Sequence, residues 1–256
     1  MTSRLLDLDS SESWHPAIEA LIHGSDVWRK IEAKLDGGST QCGEFLSQIR
    51  CSEDYLKDEL AEFLRNLGRE ILFSKYTHVA GYHGCRPKDL LSYQDQGILP
   101  SNTEVLISEA RSMFEDIGDF EEALKSIGSE YMTYNEGKVG LLLSSIRAKH
   151  DRNAYVQGSE LIRSIAHRLG PKAEQRYARS GRATLIKCAI QVDWLDKDTT
   201  FSASGSYINN VLHELICRRK WPGEDFIGFE GGYMLTRSVP PGNILEIIDM
   251  NSFWDA

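Results

Sequence analysis

No apolar run in the 256 residues approaches the roughly 20 needed to cross a bilayer, so a membrane-spanning role is not expected. Met1 to Asp9 (MTSRLLDLD) also lacks the continuous apolar stretch of a secretory signal, and cytoplasmic residence is the expectation that follows. Positive charge is not in surplus either: 29 basic residues face 38 acidic ones, for a net charge of -9. Such a chain repels a phosphate backbone at long range, which argues against non-specific nucleic-acid binding and leaves only a local basic patch open. The five cysteines (Cys42, Cys51, Cys85, Cys188 and Cys217) are odd in number and form no CxxC pair. Neither a disulfide framework nor a zinc knuckle is suggested, and reduced thiols are expected. GxxxxGK[ST], HExxH and GxSxG are all missing, so P-loop hydrolysis, zinc proteolysis and α/β-hydrolase chemistry lack their usual marks.

What is present is the composition of an ordinary folded chain, 41% apolar and 26% charged. SEDYLKDELAEFLRNLGREILF places Tyr55, Leu56, Leu60, Phe63, Leu64, Leu67, Ile71 and Leu72 at spacings of three and four, the period of an amphipathic helix capped by Ser52. One earlier helix is expected over His15 to Leu35. After Lys75 the pattern turns to strand: YTHVAGYHG, then a short helix through RPKDLLSYQDQ closed by Gly97. Ser101 to Tyr131 reads as helix, and GKVGLLLSS as a buried strand. GSELIRSIAHRLG reads as a helix capped by Ser159 and stopped by Gly170 and Pro171. TLIKCAIQVDWL reads as strand, NNVLHELICRR as helix, and GGYMLTRSVPPGNILEIIDM as two strands about a Pro-Pro turn. The chain is thus expected to be α+β, with an N-terminal helical region over 1–75 and a mixed domain over 76–256.

The most informative stretch is Gly81 to Ser101, GYHGCRPKDLLSYQDQGILPS. A histidine beside glycine at a strand end, then a helix closed by a QGILP turn, resembles the first motif of the diphtheria-toxin and poly(ADP-ribose) polymerase class of ADP-ribosyltransferases, over about twenty residues. The chemistry suits these residue types. Glycine lets backbone groups approach a flat carboxamide, and histidine can hydrogen-bond a ribose hydroxyl. Cys85 stands where that class usually has Thr or Ser.

The resemblance implies a split-sheet core, NAD as substrate without a metal, and transfer of ADP-ribose to a macromolecular acceptor, protein rather than nucleic acid. Toxin, effector and defence contexts, including delivery into a host or target cell, are compatible with it. His83 and Glu230 are the implied catalytic pair. His83, Gly84, Cys85, Arg86, Ser144 and Tyr155 are the implied cofactor-binding residues, Arg86 by way of the pyrophosphate. Two departures accompany the likeness. In the second motif, matched to Gly140-Leu141-Leu142-Leu143-Ser144-Ser145, Leu142 replaces a ring-stacking tyrosine, so an aromatic such as Tyr155 must come from elsewhere. In the third, Glu230 lies two residues early relative to the strand opened by Tyr233. A bulge at Gly231-Gly232 could turn it inward; otherwise it is an exposed loop residue. A catalytically inactive module that binds NAD, ADP-ribose or a protein therefore stands beside the enzyme reading. The basic run from Arg163 to Arg182 is open between a solvated helical face and a site for cofactor phosphates, nucleic acid or an acidic target.

Overall fold

The computed structural model describes residues 4–14, 16–35, 56–128, 135–150, 157–195, 203–222 and 231–251. The fold is mixed α+β, built on a six-stranded sheet. Its strands are β1 (Leu5–Leu6), β2 (His78–Cys85), β3 (Val139–Leu142), β4 (Thr184–Gln191), β5 (Gly232–Leu235) and β6 (Ile244–Asp249). Their order is β5-β3-β2-β4-β6, with β1 paired in parallel to the start of β2 through Leu5↔His78 and Leu6↔Val79. The other pairings are antiparallel.

Ten α-helices lie among the described residues: α1 (Pro16–His23), α2 (Asp26–Leu35), α3 (Leu56–Lys75), α4 (Leu91–Gln96), α5 (Thr103–Phe114), α6 (Phe120–Ile127), α7 (Ile146–His150), α8 (Glu160–Leu169), α9 (Pro171–Arg179) and α10 (Ala203–Lys220). None is long and apolar enough to cross a membrane. Two sequence expectations are corrected here. The helix expected over His15 to Leu35 is broken after Gly24, because the Ser25 hydroxyl accepts a bond from the Trp28 N–H at 3.0 Å and starts a second helix. Pro171 does not simply stop a helix: Gly170, at φ +96°, ends α8, and Pro171 occupies the first turn of α9, where its missing N–H costs nothing.

Strand alternation sorts the core. Val79 and Cys85 face one side of the sheet with Ile186, Cys188, Ile190 and Tyr233, packed against the apolar stripes of α3 and α10 and against Ile18, Ile22 and Trp28 from the N-terminal helices. Ala80 and Tyr82 face the other side with Leu142, Leu185 and Met250. A second cluster, Phe114, Phe120, Leu161, Ile165 and Tyr177 among its members, joins α5, α6, α8 and α9. Each buried Leu, Ile or Phe contributes about 1.5–3 kcal/mol. Residues 1–75 are expected as an N-terminal helical region, either a small domain or an elaboration; the described ones among them add strand β1 to the sheet and share the largest core cluster with it. Among the cysteines, Cys85 and Cys188 are free and buried, but Cys217 is disulfide-bonded, against the expectation of thiols throughout.

A buried polar network fixes the N-terminal segment to the sheet. The Asp7 carboxylate accepts from the Tyr82 hydroxyl at 3.0 Å and pairs with the Lys187 ammonium, which also lies 5.8 Å above the Tyr82 ring. Burial together with Asp9 and Asp7 holds the Tyr82 phenol far above its ordinary pKa, so it stays a donor. Replacing Lys187 by methionine strands a carboxylate that is 6% exposed. Lys187→Met should lower the unfolding free energy by about 2–4 kcal/mol, and adding Asp7→Asn should recover part of it; equal urea midpoints for wild type and Lys187→Met would show that the network contributes nothing.

Candidate functional site

β2 is paired with β4 along all eight of its residues, yet with β3 it makes a single bridge, Tyr82↔Leu142. Beyond Tyr82 the two strands part. The Gly140 carbonyl of β3 accepts instead from His83, whose Nδ1 lies 3.0 Å away. A carbonyl oxygen only accepts, so Nδ1 carries the proton and Nε2 of the neutral ring is left as the acceptor. Burial lowers the His83 pKa, outweighing the bond to Gly140, and favours that neutral form.

A cleft of about 820 Å³ opens at the parting, between the sheet and helices α5, α8 and α9. His83, Gly84, Cys85, Gly140 and Met234 form the sheet side; Glu109, Glu160, Arg163 and Tyr177 come from the helices. Tyr93 of α4 stands beside His83, with ring centroids 6.4 Å apart and planes inclined by 53°. Burial pushes the neighbouring Cys85 thiol up to about 12, outweighing the opposing influence of Tyr93, and that is too high to supply a thiolate at neutral pH. Tyr177 is likewise pushed up to about 12 by burial, against the pull of Arg86 and Arg163. Asn135 also lines the cleft, and its side-chain oxygen is buried without a hydrogen-bond partner among the described residues.

Two turns hold these walls in place. Gly97 has φ +76°, a conformation natural to glycine, and lets Ile98 exchange hydrogen bonds with Val239 at 2.9 and 2.8 Å, so that Leu99 and Ser101 reach the cleft. Gly158 has φ +96°, and a Cβ there would lie 2.3 Å from the Tyr177 hydroxyl and 2.7 Å from Arg86 Cβ. That bare backbone is what allows α8 to start against the cleft.

Of the residues expected at the site, His83, Gly84, Cys85 and Arg86 line this one cavity. Arg86 is engaged differently from the expectation. Three of its N–H groups go to the carbonyls of Gln157, Ala178 and Gly181, at 3.2, 2.8 and 2.9 Å, tying the loops behind the cleft rather than reaching across it. Ser144 does not line the cleft: its hydroxyl is buried and donates to Asp9, which also takes the Ser145 N–H at 3.0 Å. Leu142, in the place of the stacking tyrosine, is buried on the opposite face with Tyr82. Glu230 and Tyr155 lie outside the described residues. The bulge suggested at Gly231-Gly232 is absent from the ladder, where β3 and β5 pair continuously from Val139↔Leu235 to Leu142↔Gly232; Gly231 precedes it with φ +122°. Sequence reasoning missed Tyr93, Tyr177, Glu109 and Asn135, which come from four separate segments. Only Tyr93 carried a signal, sitting inside the twenty-residue motif.

Comparison with protein-family models, with curated proteins and with solved structures gives no match to any of them.

Proposed function

We propose that the chain is an NAD-dependent ADP-ribosyltransferase that modifies a macromolecular acceptor, on a divergent split-sheet core of the diphtheria-toxin and poly(ADP-ribose) polymerase class. One observation carries this reading. The three segments that resemble the motifs of that class lie on neighbouring strands, β5-β3-β2, and β2 and β3 separate at His83-Gly84 to open a cleft of about 820 Å³. That volume falls within the range of small-molecule sites.

Breaking the bond between nicotinamide and ribose releases a neutral leaving group and develops positive charge on the sugar. The chain's part is to bind and orient. The Nε2 of His83 accepts a ribose hydroxyl, its ring held by Gly140. The backbone at Gly84, on the cleft wall, meets the carboxamide. Among the described residues Tyr93 is the aromatic beside His83, and it can take the stacking role left vacant by Leu142. Glu230 is the carboxylate assigned to the ribose and its developing charge.

The inactive binding module is favoured by one specific observation, the burial of Leu142 away from the cleft. Incubation with NAD labelled in its adenylate half and a cell lysate separates the readings. Transfer gives labelled macromolecule that disappears in Glu230→Ala; NAD binding without nicotinamide release supports the inactive module; free ADP-ribose without labelled product supports hydrolysis. Absence of NAD binding by the full chain overturns the proposal.

A further inference from the structure

A second cavity, of about 630 Å³, adjoins the first and shares with it Arg86, Arg163 and Tyr177. Its charge is strongly one-sided. Arg86, Arg163 and Arg168 line it, and among its described lining residues the one carboxylate is Glu174, which is engaged by His167 at 2.7 Å. The Arg86 guanidinium is half-buried and held only by carbonyl oxygens, so its positive charge meets no carboxylate among the described residues. Arg168, five residues beyond Arg163 on α8, is exposed and makes no hydrogen bond or ion pair with a described residue. Ser164 and Gln157 add neutral hydrogen-bonding groups, while Ala166, Ala178 and Ile127 keep part of the wall apolar. In a chain of net charge -9, this concentration of guanidinium groups around one concavity is a local reversal of sign.

We infer that this second cavity is a binding site for a phosphoryl group carried by a small phosphorylated molecule. Guanidinium groups suit the planar, bidentate recognition of phosphate oxygens. A cavity of this size seats more than a bare phosphate, and its apolar patch meets the rest of the molecule. The site goes beyond the proposed transfer reaction, and Arg168 is the guanidinium that lines it and not the first cleft. It neighbours the cleft of His83 but takes its own ligand, which Tyr177 and the two shared arginines separate from whatever occupies the first.

Inorganic pyrophosphate is the probe, titrated calorimetrically into the full chain and into two variants that each touch one cavity only. Arg168→Glu reverses a charge in the second cavity and leaves the first intact; His83→Ala does the opposite. Arg168 is exposed on a helix surface, and thermal unfolding of each variant establishes that it is folded. The expected result is saturable binding by wild type, weakened about tenfold or more in Arg168→Glu and unchanged in His83→Ala, with nicotinamide release from NAD affected in the reverse order. Binding should also fall with rising salt. No saturable binding by wild type, or equal binding by Arg168→Glu, overturns the inference. Loss of pyrophosphate binding in His83→Ala overturns it too, since the anion then belongs to the first cleft. If NAD fails to bind while pyrophosphate follows the expected pattern, the transferase reading falls and the phosphoryl site stands.

Discussion

His83→Ala should reduce nicotinamide release from NAD by about 10² to 10³-fold, the range seen when one preorganised hydrogen-bonding group is removed from a reacting centre. The loss should appear chiefly in the catalytic constant, because the alanine still leaves Gly84 and the rest of the cleft to bind. His83→Asn, which retains an acceptor on a shorter side chain, should recover part of it. The pH profile gives an independent reading. Nδ1 already donates to Gly140, so a further proton can only enter at Nε2, where it converts the acceptor into a donor. The folded pKa lies below the ordinary value of 6.5 because the ring is buried. Activity should therefore be flat through neutrality and fail only on the acid side. Stability follows the same sign. Below about 6.5 the unfolded chain binds a proton that the folded chain refuses, so this group's contribution is intact above that value and is lost as pH falls toward the folded pKa. An acid limb of activity unchanged in His83→Asn would remove His83 from the chemistry.

Gly97→Val should be the most destabilising of the single changes considered, by about 3 to 4 kcal/mol, in two parts. The valine must adopt φ +76°, and its Cβ would stand 2.0 Å from the Val239 carbonyl oxygen, a backbone atom that cannot swing aside. Relief requires the Ile98–Val239 bridge to open, which also moves Leu99 and Ser101 at the cleft. Urea unfolding measures the first part and NAD titration the second. A variant with wild-type midpoint and wild-type NAD affinity would show that the turn does not hold the loop.

The elements that announced themselves in the sequence are those whose period is set by one partner surface. α3 was readable because its apolar stripe faces a single core, and β2, β4 and β6 because alternation and flanking glycines bound them. β1 was not, since two residues carry no period; only pairing with His78 and Val79 makes Leu5 and Leu6 a strand. The break at Gly24 turns on one serine hydroxyl, which a pattern of apolar spacing does not weigh. At the site, the contiguous residues His83, Gly84 and Cys85 line one cavity, as neighbours on a single strand can. Arg86 was not legible in its role, because its carbonyl partners lie 71 to 95 residues away. Ser144 is expected at a ligand site because it matches the serine end of the second motif, but the group that claims it, Asp9, lies 135 residues earlier in the chain. Tyr93 and Tyr177 required the fold itself to bring α4 and α9 together.

The parting of β2 from β3 after a single bridge has a consequence for inheritance. An opening made by two main chains diverging, and not by the size of what flanks them, imposes few demands on residue identity. Mutation can wander across the flanking side chains while the breach persists, provided the imidazole at 83 and the bare backbones at Gly97 and Gly158 are kept. Kinship of this kind would be traced by comparing where ladders end, not which letters they spell.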